Sequence, residues 1–403
     1  MGSQMFLFDR FRTGRLLYNK QGLAQPEPVW NYKLPSYPLK SPESTLVMDE
    51  EQNIYFGSHD ACFYSLTYEG KLRWFFRATG KIYSSPLIYN DIVCFADVNG
   101  HLFGFSLQGN LLWHVDLTAS HRKTLSKAGK LWDLAKRKWK NQFSSPNNLW
   151  DAKCWSSPNV DDNGVLYMTG YGKGLHAIDI HTGQVKWERD LGKPRNHLSG
   201  VAINEENEIF AAAQEKQIVC YKPDGTLKWN FRTKAGYEGW SNPSIDPERQ
   251  LVYVPVSRSH QSAVVYALDY TGKLKWEAVL PTGTKGTAAV SYDRYILIAG
   301  LDGLLYFLDK ENGRIIRKLT LGCAQNGLWT TASIDQNGYL FITTKESADQ
   351  QPNKQVGSIV CLTRDGEVVW KHRIGKGHST PVIDDQGRLY AGSWTGELIC
   401  IQT

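Results

Sequence analysis

"AIDIHTGQVKWERDL", residues 177–191, returns in close copy as "ALDYTGKLKWEAVL" at residues 267–280. The shared core is a glycine followed four residues later by a tryptophan, and it recurs as Gly70/Trp74, Gly109/Trp113, Gly183/Trp187, Gly225/Trp229, Gly272/Trp276 and Gly366/Trp370. Gly313 followed by Arg317 is a degenerate copy, and Trp30 stands alone without its glycine. Copies are spaced by roughly 40 to 50 residues, the length that four short strands and their turns require. A gap of about 74 residues between Trp113 and Trp187 must hold an insertion. Such a period belongs to the blades of a propeller.

Residues 84–117 show the strands within one period. "SSPLIY", "VCFADV", "HLFGFSL" and "LLWHVDL" alternate and are separated by turn residues. The third and fourth strands are joined in successive periods by "TYEG", "QG", "HTG", "PDG", "YTG", "ENG" and "RDG". In these hairpins glycine supplies a positive backbone angle, so they are turns and not phosphate loops. The tryptophan that follows is large and apolar with one N–H, which suits packing between sheets and bonding to the backbone of a neighbouring blade.

Inner strands are expected to start near Glu43, Ser84, Trp155, Leu198, Trp240, Thr287, Trp329 and Ser379, giving eight blades. The last period ends at Thr403 after "GELICIQT", its third strand. "PEPVWNYKL", residues 26–34, supplies the missing outer strand, and pairing the two ends closes the ring without exposed sheet edges. The fold class is therefore all-β: an eight-bladed propeller of four-stranded antiparallel blades, preceded by an extension over 1–25 and interrupted by one helical insertion.

The pattern A-x-D-x-x-T-G-x-x-x-W, met as Ala177, Asp179, Thr182, Gly183 and Trp187, resembles the repeat of the PQQ-like β-propellers. That family contains PQQ-dependent dehydrogenases and non-enzymatic scaffolds of the BamB type, and the resemblance runs over about residues 27–403. It implies the fold, whereas function lies in the site a fold carries. The alcohol-oxidising members hold PQQ with calcium beside a bonded pair of adjacent cysteines. No Cys-Cys occurs here, so no cofactor is expected.

Composition fits one large domain: 403 residues, 41% hydrophobic, 12% aromatic, net charge +6, too mildly basic to indicate nucleic acid. The first residues, "MGSQMFLFDRFRTGRLLYNKQ", interrupt their apolar positions with Asp9, Arg10, Arg12 and Arg15, unlike a secretory signal, and no stretch is long enough to span a membrane. Seven cysteines at no metal-binding spacing fit a reducing compartment. A cytoplasmic monomer without a metal is the expectation. Cys220, Cys361 and Cys400 fall at third-strand positions as small buried hydrophobes, and only Cys154 and Cys323 fall in loops.

If the repeats build the fold, function lies where they break. The irregular stretches are 118–153, 257–263, 343–358 and the loop around Tyr237, all on the face where inner strands begin. Around that rim stand Glu43, Tyr83, Trp155, His197, Trp240, Gly286, Trp329 and His378. Just before them come Lys81, Asp151, Lys153, Arg195, Tyr237, Glu238, Lys285, Asn326 and Lys376, residues able to orient a charged ligand. Flat apolar surfaces with a few convergent polar groups describe a pocket. The same aromatics could instead only plug the channel, and a histidine there could be a hydrogen-bonded core residue. His197, His378 and Glu238 are the acid–base candidates, since imidazole titrates near neutrality and a carboxylate among aromatics can be raised by desolvation.

The insertion at 120–143 sets Leu125, Ala128, Leu131, Trp132, Ala135 and Trp139 at helical spacing beside many lysines. Such a segment can bind anionic lipid or nucleic acid or be a solvated basic face, and it reads here as a lid over the funnel. Two functions follow. One is a non-redox enzyme of lyase, cyclase or hydrolase type acting on a small molecule or modified peptide in the funnel. The other is a BamB-like scaffold binding a peptide or partner protein on the same face.

Overall fold

The computed structural model describes residues 5–19, 25–35, 41–117, 156–170, 174–191, 199–213, 217–322, 327–347 and 355–403. The expected helix within 118–153 lies outside them, and every regular element among the described residues is a strand. They form eight antiparallel sheets arranged as blades. Seven have four strands; the seventh blade in chain order adds a two-residue strand, Glu346–Ser347, on its third strand Gln355–Leu362. Closure is as the sequence implies. Glu27–Lys33 pairs with Glu397–Gln402, setting Trp30 opposite Cys400.

The tryptophan repeat joins each blade to the next. Trp74 donates its indole N–H to Leu107 O at 3.1 Å, Trp113 to Ile180 O at 2.8 Å, Trp187 to Pro223 O at 2.8 Å, Trp229 to Tyr270 O at 2.9 Å and Trp276 to Lys310 O at 2.7 Å. Each acceptor sits in or beside the third-to-fourth hairpin of the following blade, whose glycine lies flat against the ring. A Cβ added at Gly183 would come 2.7 Å from Trp113, and one at Gly272 2.7 Å from Trp229. The glycine of the motif therefore serves its own turn, with φ of +70° at Gly183, and the tryptophan of the blade before it. Trp370 breaks the series. It is buried, yet its N–H has no hydrogen-bond partner among the described residues, and the next blade, whose third strand pairs with the N-terminal strand, has no third-to-fourth hairpin.

Inner strands begin about three residues later than the sequence reading placed them, at Val47, Leu87, Asn159, Val201, Ser244, Ala289, Ser333 and Val382. In four blades a proline, namely Pro86, Pro158, Pro243 or Pro381, stands immediately before the strand and has no N–H for the ladder. At this level short polar side chains join the blades. Thr45 N–H donates to Ser85 Oγ, Ser85 N–H to Ser157 Oγ, Thr287 N–H to Thr331 Oγ1 and Thr380 N–H to Thr45 Oγ1, at 2.9 to 3.3 Å, each reaching the following blade in the ring. Asn242 bridges its neighbours on both sides, accepting from Gly200 N–H and donating to Thr287 Oγ1. This belt of short polar side chains fixes the residues that stand directly above it.

Residues 5–19 close the channel from the opposite end. Backbone N–H groups of Ile203, Ile245, Val290 and Ile334, all on inner strands, donate to the carbonyls of Arg10, Phe11, Thr13 and Gly14 at 2.8 to 2.9 Å. Arg12 is fully buried and gives its guanidinium to the carbonyls of Phe6, Ser157, Pro158 and Val201. Burial, only partly offset by Asp9, lowers it to about 9. The extension is thus a plug made from backbone pairing with the inner strands.

Candidate functional site

Two residues before each belt position the chain turns over the funnel mouth. That offset places Glu43, Tyr83, Trp240, Lys285, Trp329 and His378 in equivalent positions on six blades. The sequence reading put Gly286 on the rim and Lys285 outside it; the belt shows Lys285 to be the rim residue. A second tier comes from the loop after each second strand, and there the reading missed His59, Lys345 and Trp394. The available signal was positional: each stands one or two residues beyond the end of its second strand, Ile54–Gly57, Leu340–Thr343 or Arg388–Ser393, on the same face.

The two tiers meet at Glu43. Its carboxylate lies 2.8 Å from His59 Nε2 and 3.3 Å from His378 Nδ1, and it accepts the indole N–H of Trp394. Burial alone would raise this carboxyl, but His59 and His378 beside it, with hydrogen bonds from His59 and Trp394, hold it down to about 2. His378 stacks on Trp394 with centroids 4.1 Å apart and planes 6° from parallel, and meets Trp329 edge-on at 5.2 Å. Burial drives His378 well below the usual imidazole range; Lys345, Lys376 and His59 push the same way and Glu43 opposes them. It is a neutral imidazole at pH 7. Tyr83 packs on His59 at 4.2 Å, and its hydroxyl is raised by burial and by Glu43.

Three lysines lie against the indoles. Lys285 Nζ is 3.5 Å from the ring centroid of Trp329 and 5.6 Å from that of Trp240. Lys345 Nζ is 3.4 Å from Trp329 and 5.5 Å from Trp394, and Lys376 Nζ is 4.7 Å from Trp394. Among the described residues none of the three forms a salt bridge. Burial lowers Lys285 against the pull of Glu43, and lowers Lys345 to about 5, helped by Lys376 and Lys285. Beyond Trp240, whose N–H donates to Glu238 Oε2 at 3.0 Å, the contacts reach the exposed Glu238 and then Tyr237, which is bonded to Ser262 at 2.9 Å. Tyr83, Glu43, Trp240, Lys285, Trp329, His378, Glu238 and Tyr237 therefore form one continuous arc. Asp151, Trp155, Arg195, His197 and Asn326 lie outside the described residues. Five cysteines, Cys62, Cys94, Cys220, Cys361 and Cys400, are free and buried in the blades, away from this arc.

Fold and site together define an eight-bladed propeller of the PQQ-like type with a cationic, aromatic axial funnel. The chain belongs to the family described as outer membrane protein assembly factor BamB, whose model matches residues 24–197, 129–291 and 176–336. Similar proteins include the BamB of Yersinia pestis, 19% identical over 77% of this chain and 69% of that protein. A polyvinylalcohol dehydrogenase of a Pseudomonas species is 23% identical over 51% of this chain and 44% of its own length. Among solved structures, BamB from Moraxella catarrhalis superposes with a TM-score of 0.64 at 12% identity, covering 94% of this chain and 98% of that one. A europium-containing methanol dehydrogenase gives 0.54 at 12% identity, over 75% of this chain and 73% of that one. At these identities the structural likeness concerns the fold.

The resemblance to the PQQ-like propellers raises the question of PQQ with calcium. The described residues do not fit that pair. Calcium takes six to eight oxygen ligands, carboxylates prominent among them, and the one carboxylate at the centre, Glu43, is already engaged by two imidazoles and an indole N–H. Lys285 and Lys376 near it would repel a divalent ion, and no group of three or more metal-ligating side chains occurs among the described residues.

Proposed function

We propose that the protein binds a small, flat, anionic molecule in the axial funnel, stacked on Trp329 and neutralised by Lys285 and Lys376, with the uncharged amine of Lys345 beside it. One observation carries this: three lysines converge on the indoles of one funnel with a single, already engaged carboxylate among them. Such an arrangement is costly when empty, because buried cations without counter-charges are unfavourable, and an anionic ligand relieves that cost. Acid–base chemistry on the ligand would fall to His378, whose Nε2 has no hydrogen-bond partner among the described residues.

A second reading is a protein partner on the same face, with the protein acting as a scaffold. Family membership favours it, since the family is described as an assembly factor.

The test is titration of tryptophan fluorescence with pyridoxine 5′-phosphate and with benzene-1,3,5-tricarboxylate, alongside mass spectrometry of the denatured protein for a co-purifying small molecule. Saturable quenching that weakens with salt, and is lost in Trp329→Ala, is the expected result. No quenching by either probe and no co-purifying anion would leave the scaffold.

A further inference from the structure

Lys345 differs from its two companions. It follows the second strand of the seventh blade, only 2% of it is exposed, and its Nζ sits 3.4 Å above the ring of Trp329. No carboxylate forms an ion pair with it among the described residues, and Glu43, the carboxylate whose charge acts on it, is held by His59, His378 and Trp394. Lys285 shares the ring of Trp329 with it, and Lys376 shares that of Trp394. A primary amine with apolar rings around it and like charges beside it gives up its proton readily. Burial is the largest cause, Lys376 and Lys285 add to it, and Glu43 only partly opposes them, so that Lys345 falls to about 5. At neutral pH it carries a free lone pair inside a site otherwise built to attract anions.

We propose that Lys345 is a nucleophilic amine that condenses with the aldehyde or ketone carbon of an anionic carbonyl compound held in the funnel. This rests on the anion-binding reading, in which Lys285 and Lys376 take the ligand's acidic group and Trp329 its flat face. The Lys345 nitrogen adds to the carbonyl carbon, giving a carbinolamine. The nitrogen loses its protons, the former carbonyl oxygen leaves as water, and a carbon–nitrogen double bond remains. Amine plus carbonyl gives imine plus water, and nothing is oxidised or reduced. Desolvation in an apolar pocket next to other cationic groups is the established way to make a lysine a nucleophile at neutral pH.

The full-length protein is incubated with pyridoxal 5′-phosphate at pH 6.5, reduced with borohydride and mapped by peptide mass spectrometry. A single adduct on Lys345 is expected, formed about tenfold or more faster than on any other lysine, because surface lysines near their ordinary value of about 10.4 are almost fully protonated there. Its rate falls as the pH drops below 5, excess pyridoxine 5′-phosphate blocks it, and Lys345→Arg, which keeps a long side chain but offers no free amine at this pH, abolishes it. Labelling spread evenly over surface lysines, or preferring Lys285 or Lys376, overturns the proposal. If Lys345→Arg does not fold, the adduct map of the unaltered protein decides alone. Pyridoxine 5′-phosphate binding without an adduct on Lys345 rejects the nucleophile and keeps the anion site. An adduct on Lys345 without pyridoxine 5′-phosphate binding keeps the nucleophile and rejects the anion site.

Discussion

Gly313 lies against the indole of Trp276 from the preceding blade so closely that a Cβ on it would meet the ring at 2.4 Å. Trp276 in turn donates to Lys310 O in the same hairpin. One blade's turn residue and another blade's tryptophan are therefore a single joint. Trp276→Ala should destabilise the protein by about 3–5 kcal/mol through lost packing. Gly313→Ala meets both the ring and a φ of +71°, and should cost about 1–3 kcal/mol. Chemical denaturation checks both; an alanine at 313 without cost would mean that the joint is loose.

Removal of residues 26–34 tests closure. The strand Glu27–Lys33 covers Glu397–Gln402 with a nearly continuous ladder, so its loss exposes an edge on the last blade. Insoluble or strongly destabilised protein is expected. A soluble truncation of equal thermal stability would contradict the closed ring.

Trp329 and Trp276 should behave oppositely. Trp329 is half-buried at the funnel mouth with lysines on its face. Trp329→Ala should change stability by less than about 1 kcal/mol and weaken pyridoxine 5′-phosphate binding by about tenfold or more. Trp276→Ala should leave the affinity of the folded protein unchanged. Equal affinities in wild type and Trp329→Ala would remove the funnel from consideration.

Lys345 should make stability depend on pH. Its value is about 5 in the folded protein against the ordinary 10.5, so between those limits the unfolded chain holds a proton that the folded one lacks. Stability must then rise with pH across that window. Lys345→Met removes the penalty. It should be more stable than wild type, most so near pH 5, and the advantage should shrink as the pH approaches 10. Thermal melts of both proteins from pH 5 to 10 check this, and a constant difference would mean that Lys345 stays charged.

Eight blades, their hairpins, the inter-blade role of the tryptophans and the closing strand were all legible in the sequence. They depend on local periodicity and turn chemistry, and the Gly-x-x-x-Trp spacing repeats the same local geometry in each blade. The rim was legible only in part. Glu43, Tyr83, Trp240, Trp329 and His378 could be named because they precede recognisable inner strands, whereas Lys285 was displaced by one residue because its place is fixed by the bond from Thr287 N–H to Thr331 Oγ1 in another blade. His59, Lys345 and Trp394 come from loops whose residues look like any others along the chain. Only the circular arrangement brings Glu43 against His378 and Trp394, residues more than three hundred positions away, and gathers lysines from three sequence-distant segments onto two indoles. Charge proximity and desolvation are set by that convergence in space. Local pattern therefore determined the blades, and tertiary structure alone decided which side chains share the funnel and how their protons are held.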